Sequence, residues 1–362
     1  MEAGGAERVA ATLCNHWADM GHNVHLITFE GDNDVSHYSL ALGVKRHKLD
    51  LLRNSRSLAS FAAHNLKRVF VLRRVLRSIA PDAVISFMPE PNVIALIASI
   101  GQRWPVIVSE RIHPGFMQLG PIPAGMRRLM YPRAASVVVQ ASAIGRYVDE
   151  TFKVTSTTIP NPVDLTQFTT TDNIKYEPVR RRIVSVGRLD RQKGFDLLID
   201  AFGMVANDFP DWDLVVFGEG NQRTTLEQQI DAHNLTDRIR LAGTVTDTAR
   251  ELQHTDIYAQ SSRFEGTPNA VIEALACGCP VIATDCPGGI RDILGDSDYG
   301  QLVPVDDAAA LAEALRRLMT NETLRQAMSQ RAPVAVADLS VSVIAAQWIS
   351  LAQRLIAERR RL

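Results

Sequence analysis

A chain of 362 residues is longer than one hydrophobic core usually organises, so length points to two domains. A hydrophobic share of 46% and a charged share of 22% exclude a disordered, collagen-like or coiled-coil chain. With 39 basic and 40 acidic side chains the net charge is -1, so no whole-molecule field draws in nucleic acid, and none is expected as a partner.

The chain opens on Met1-Glu2-Ala3-Gly4-Gly5, which has neither the basic head nor the apolar run of a signal peptide. A glycine turn of this kind normally follows a first, central strand, and none precedes it here. The expectation is a start upstream or a truncated chain, with a sheet that lacks its centre. Strands are then predicted at Asn23 to Thr28, Asp82 to Phe87, Pro105 to Glu110 and Ala135 to Gln140. After a Thr-, Asn- and Asp-rich stretch they resume at Arg182 to Gly187, Asp213 to Gly218, Ile239 to Gly243, Asp256 to Gln260 and Pro280 to Asp285. Helical patterns separate them, the alternation of an α/β chain with parallel sheets. The expected boundaries are an N-terminal domain over 1–164, a linker over 165–180 and a C-terminal domain over 181–342. A last helical pattern over 343–362 is expected to pack back on the first domain.

The near-neutral total conceals two oppositely charged halves: up to Phe168 the charge is +5, and beyond it -6. From Leu51 to Pro81 there is no acidic residue but seven basic ones. Leu58, Phe61, Leu66, Val69, Leu72, Leu76 and Ile79 recur there at helical spacing, which predicts a basic amphipathic helix over 58–79 suited to an anionic membrane surface. A solvated basic face is the plain alternative. The longest apolar stretch, Val93 to Ile100, is too short to span a membrane. Four cysteines without a C-x-x-C pair suggest neither a disulfide framework nor a zinc site, in keeping with a reducing cytoplasm.

Two clusters carry the candidate chemistry. In the first, a strand ending at Gly187 leads into a polar loop bracketed by Arg188 and Lys193, two cations where a diphosphate could be held. In the second, Pro268 is expected at the first position of a helix with Thr267 as its N-cap. That would leave the N–H groups around Asn269 and Ala270 free for phosphate. Glu265 before that helix and Glu273 within it are carboxylates suited to sugar or ribose hydroxyls. Glu219 and Glu227 share the same spacing without such surroundings.

GGAERV near the start, IPNPVD (159–164), GRLDRQKG (187–194), FGEG (217–220), FEGTPNAVIEALACGCPVIATD (264–285) and GGIRDIL (288–294), in this order, resemble glycosyltransferase family 4. Its members are retaining enzymes of the GT-B fold, two Rossmann-like domains with parallel sheets facing across a cleft. The resemblance implies a sugar-nucleotide substrate, expected to be a UDP-sugar, with no separate cofactor and no metal, and a glycan or lipid-diphosphate-linked acceptor at the first domain. It also implies that Arg188 and Lys193 neutralise the leaving diphosphate, Glu273 takes the ribose hydroxyls and Glu265 touches the transferred sugar. Gly4, Gly5 and Gly218 would let backbone approach the donor, with Thr267 and Asn269 nearby.

Many members carry a histidine after the strand matching 105–110, where this chain has Arg111; His113, two residues on, is the candidate active-site histidine. Asp-x-Asp pairs at Asp32 and Asp34, Asp211 and Asp213, and Asp296 and Asp298 recur in turn-like stretches and are expected to be loop features rather than a manganese site. The expected activity is transfer of a sugar, such as an N-acetylhexosamine, by a protein peripheral to the membrane. A UDP-sugar epimerase of similar fold and a non-catalytic nucleotide or glycan binder remain as alternatives.

Overall fold

The computed structural model describes residues 5–31, 38–51, 58–111, 114–116, 119–169 and 180–361. Gly4, Asp32, Asp34, Arg53, Arg56 and His113 lie outside them. The chain forms two compact units, 1–162 with 341–362, and 163–340.

The first unit runs α1 (Gly5–Asp19), β1 (His25–Thr28), β2 (Lys45–Lys48), α2 (Leu58–Ile79), β3 (Val84–Phe87), α3 (Pro89–Ala98), β4 (Val106–Ser109), α4 (Pro121–Met130), β5 (Ser136–Val139), α5 (Ser142–Phe152) and β6 (Ser156–Thr158). All strand pairs are parallel, but they form two separate sheets, β1–β2 and β3–β4–β5–β6. β4 and β5 are buried along their whole length, as continuous Val and Ile runs covered on both faces should be. Met130, Tyr131, Ile144 and Val148 pack against them.

α2 departs from the expected pattern. Leu72 and Leu76 are buried, but Leu66, predicted on the packed face, is 59% exposed, and Phe70 one turn on is 63% exposed. The reason is visible in Arg68. Its guanidinium turns inward instead, donating to Leu51 O at 3.0 Å and pairing with Glu90 at 2.5 Å.

The second unit runs α6 (Thr166–Thr169), β7 (Arg181–Val186), α7 (Phe195–Val205), β8 (Trp212–Phe217), α8 (Arg223–Ala232), β9 (Ile239–Gly243), α9 (Thr248–Gln253), β10 (Ile257–Gln260), α10 (Asn269–Ala276), β11 (Val281–Thr284), α11 (Ile290–Leu294), β12 (Gln301–Val303), α12 (Ala308–Thr320) and α13 (Glu322–Arg331). Its six parallel strands lie in the order β12–β11–β10–β7–β8–β9. The chain builds outward from β7 in one direction and, after β9, from β10 in the other. The sheet therefore has a switch point between β7 and β10, where open α/β sheets leave a crevice at the carboxyl ends of the strands. Phe195, Phe202, Trp212 and Leu315 are among the side chains that fill the core beside it.

Unit 2 begins before the stretch expected as its linker. Val163 bridges Ser340, and Thr166–Thr169 is helical, held by the Asp164 carboxylate accepting from Thr166 N and Oγ1. Residues 170–179 lie outside the described ones. The chain then returns to unit 1 with α14 (Val341–Arg360), which begins two residues earlier than the expected pattern. Trp17 Nε1 donates to Ala345 O at 3.2 Å, and the fully buried Trp348 ring stands 5.8 Å from Phe87 at the end of β3.

Trp348→Ala removes an aromatic side chain from that core, a change that costs about 3–5 kcal/mol in comparable cores. Urea unfolding should show unit 1 destabilised by this amount; a loss under about 1 kcal/mol would mean α14 is only loosely attached.

Candidate functional site at the switch point of the second sheet

Two loops leave the carboxyl ends of β7 and β10 on either side of the switch point. The first, 187–194, carries Arg188 and Lys193; the second, 261–268, carries Glu265 and Thr267. They are tied by Arg263 N donating to Gln192 O (2.8 Å), Gln192 Nε2 to Phe264 O (3.0 Å) and Ser261 Oγ to Lys193 O (3.0 Å). The Arg263 guanidinium adds a clamp, pairing with Asp196 on α7 and with Asp306, each at 2.7 Å. Gly194, with φ 64°, permits this approach, because a β-carbon there would overlap Ser261 O.

Between the loops Lys193 Nζ meets Glu265 Oε1 at 2.7 Å, with side chains 18% and 4% exposed. The same oxygen accepts from Ser262 Oγ at 2.6 Å and Gln260 Nε2 at 3.0 Å. Three donors converge on Oε1, while among the described residues Oε2 receives none. A carboxylate held by one oxygen can present the other to a ligand hydroxyl. Thr267 Oγ1 is likewise buried without a partner among the described residues, and a buried hydroxyl left unpaired marks a place where a bound group could complete the hydrogen bond.

Glu273 lies on α10, next to the same strand. Burial first, then the fields of Glu265 and Glu273, push the Tyr258 hydroxyl on β10 well above its usual pKa. Both carboxylates are thus close enough to act on one buried group. Burial, followed by the Glu265 charge, also raises Cys286 to about 12, so this thiol is protonated and unreactive at neutral pH.

Arg188 stands apart from the pair. Its side chain is 70% exposed and bonds Asp190 Oδ2 at 2.5 Å. Asp190 also accepts from Lys193 N through its other oxygen, so one carboxylate orders both cations' loop. Gly218 (φ 149°) allows the turn after β8 to press on the β7 loop, because a β-carbon would overlap Gly187 O. Gly5 is the first residue of α1 in the other unit. The expected helix start is corrected by one residue. Pro268 is the cap residue, its carbonyl accepting from Val271 N and Ile272 N, and α10 begins at Asn269. Thr267 does not cap, because its own carbonyl already closes a turn on Asn269 N at 2.9 Å, which leaves its hydroxyl outside the helix.

Sequence reasoning missed Gln260, Ser262 and Arg263, which hold the carboxylate and the loop. The available signal was a polar run directly after a strand otherwise made of Ile, Tyr and Ala. Among the described Asp-x-Asp residues, Asp213, on β8 rather than in a loop, pairs with Arg180 (3.4 Å) and Arg238 (3.0 Å), and Asp296 pairs with Arg291, so these carboxylates are engaged in ion pairs within the unit. Among the described residues no group of three His, Cys, Asp or Glu is arranged to hold a metal ion.

Residues 172–334 match the family described as Glycosyl transferases group 1, and residues 4–162 match the Glycosyl transferase 4-like domain. The chain is 28% identical over 348 residues to N-acetylgalactosamine-N,N'-diacetylbacillosaminyl-diphospho-undecaprenol 4-alpha-N-acetylgalactosaminyltransferase of Campylobacter jejuni, covering 91% of each. It is 26% identical to a second Campylobacter jejuni enzyme, a GalNAc-alpha-(1->4)-GalNAc-alpha-(1->3)-diNAcBac-PP-undecaprenol alpha-1,4-N-acetyl-D-galactosaminyltransferase, covering 97% of this chain and 95% of that one. In structure it is similar to sucrose-phosphate synthase of Thermosynechococcus elongatus, with a TM-score of 0.85 at 20% identity over 98% of this chain and 94% of that one. It is also similar to Anabaena HepE in complex with UDP, with a TM-score of 0.77 at 18% identity over 96% of each. Two Rossmann-like parallel-sheet units, a site at the second sheet's switch point and matches to both domain families lead to one conclusion: the chain belongs to the family 4 glycosyltransferases of the GT-B fold.

Proposed function

We propose that the protein transfers a sugar, of the N-acetylhexosamine class, from a UDP-sugar to a lipid-diphosphate-linked glycan with retention of anomeric configuration. The observation that carries this reading is the Lys193–Glu265 pair set beside the unpartnered Thr267 hydroxyl at the β7/β10 switch point. The names of the two Campylobacter jejuni relatives, both acting on undecaprenol diphosphate-linked acceptors, supply the acceptor class. The complex of HepE with UDP supports the donor class.

In this reading Lys193, Arg188 and the start of α10 hold the donor diphosphate, Glu273 takes the ribose hydroxyls and Glu265 orients the transferred sugar through Oε2. As the bond from the anomeric carbon to the diphosphate oxygen breaks, its electron pair stays on that oxygen and negative charge grows there. Preorganised cations and N–H groups stabilise this charge more in the transition state than in the ground state, with no metal required by the step. The acceptor hydroxyl forms the new bond on the same face, and its proton passes to the departing phosphate.

The partner surface lies on unit 1. Of the basic residues on α2, Arg68 and Arg73 are occupied inside the unit, Arg73 donating to Ala98 O and Ile100 O. Lys67, Arg74 and Arg77 face outward in one stripe with the exposed Leu66 and Phe70. Apolar side chains flanked by cations suit the headgroup boundary of an anionic membrane, where a lipid-linked acceptor resides. Among the described residues no helix is long and apolar enough to cross a membrane.

Two outcomes follow. Glu265→Gln keeps the shape of the site but not the charge, so transfer should fall about 100-fold while UDP still raises the melting temperature. Glu273→Gln should instead weaken UDP binding about 10-fold. UDP binding unaffected by Glu273→Gln, or full transfer by Glu265→Gln, would reject these roles. For the membrane surface, flotation with phosphatidylglycerol vesicles should show binding that weakens with salt and is largely lost in Leu66→Ser/Phe70→Ser. Equal flotation of that variant, or none of the wild type at low salt, would discard it.

A further inference from the structure

The carboxyl ends of the strands in the first unit hold a buried charge that the roles above leave unused. Arg111, two residues beyond the end of β4, is 7% exposed. Its neighbour Glu110 is fully buried. Its Oε1 pairs with Arg127 at 2.9 Å and accepts from the Tyr131 hydroxyl, while Oε2 is buried without a hydrogen-bond partner among the described residues. Among the described residues no ion pair joins Glu110 to Arg111.

Among the described residues, what surrounds the Arg111 guanidinium is neutral. Nη1 donates to Ser109 Oγ at 3.3 Å, Nη2 donates to Asn161 Oδ1, and the group lies 5.3 Å from the centre of the Phe87 ring. Nε is buried with no partner among the described residues. Among the described residues no carboxylate lies within ion-pair distance of it. Gln140, at the end of β5, fixes the backbone by donating to Arg111 O at 3.1 Å. Burial without a counter-charge draws the guanidinium down to about 9, yet leaves it cationic at neutral pH.

An isolated buried cation is costly, and a guanidinium has five N–H donors of which neutral oxygens take only part. The Ser109 and Asn161 contacts hold the guanidinium without neutralising it, and Gln140 holds the backbone behind it. Its position, where three parallel strands end, is the side on which such sheets receive ligands.

We propose that Arg111 is an anion-binding residue of unit 1, taking a phosphate oxygen of the acceptor's diphosphate. The identity of the anion rests on the lipid-diphosphate reading above; the site itself does not. Arg suits the task better than the histidine that many family members place here, since it stays charged through the pH range of histidine titration and can present two parallel N–H bonds to one phosphate.

The test is calorimetric titration of inorganic diphosphate into full-length protein carrying Arg188→Ala, Lys193→Met and Glu265→Gln, which removes the second unit's cations without stranding a buried charge. This parent should still bind diphosphate. Adding Arg111→Gln should weaken that binding at least about 10-fold, and Arg111→Lys should weaken it less. Arg111→Met, an apolar chain of similar length beneath Phe87, should melt no lower than the parent while losing the anion, which separates ligand binding from a purely structural role. A parent that binds no diphosphate, or Arg111→Gln and Arg111→Met variants that bind it as the parent does, would overturn the proposal. The titration involves no sugar transfer, so an activity assay that failed on a lipid-linked acceptor would count against the functional reading alone.

Discussion

The buried ion pair between Lys193 and Glu265 is the constraint around which the second unit's site is arranged. Burying a carboxylate to 4% exposure costs desolvation that a cation and further donors offset, and Lys193, Ser262 and Gln260 supply them. Each of those partners comes from a strand end or from the loop that follows one. Keeping the carboxylate satisfied therefore fixes the β7 loop against the β10 loop, and the Arg263 clamp to Asp196 and Asp306 holds that spacing from behind. In the proposed function a diphosphate at Lys193 would meet an ammonium already in place, with little reorganisation left to do.

The two units solve the problem of buried charge differently. In unit 2 the central Lys193–Glu265 pair is self-neutralising. In unit 1 Glu110 and Arg127 neutralise each other beneath the sheet, whereas Arg111 is held among neutral groups and under an aromatic ring. The net charges of the halves, positive for the first and negative for the second, follow the same division. The basic stripe on α2 accounts for part of the excess in unit 1, and its outward cations stand beside apolar residues that the fold leaves uncovered.

The interior strands were legible because strands covered on both faces must be continuously apolar. β4, β5, β10 and β11 read as Val, Ile and Ala runs and are buried at every position. Three of the edge strands were not. Lys45–Lys48 is KRHK, Ser156–Thr158 is STT and Gln301–Val303 is QLV, and each pairs with a single neighbour, so backbone hydrogen bonds rather than burial define it. At the site, Lys193 and Glu265 could be named from motif and charge. Their direct pairing, the diversion of Arg188 to Asp190 and the shift of the helix start past Thr267 could not, because each depends on which of several nearby polar groups meet in space.

The most direct measurement is a crystal structure of the full chain with UDP. The account predicts diphosphate oxygens within hydrogen-bond distance of Lys193 Nζ and Thr267 Oγ1, and the ribose hydroxyls on the Glu273 carboxylate. Nucleotide bound elsewhere in the chain, or seated at the switch point with Lys193 and Glu273 both turned away from it, would contradict the account at its base.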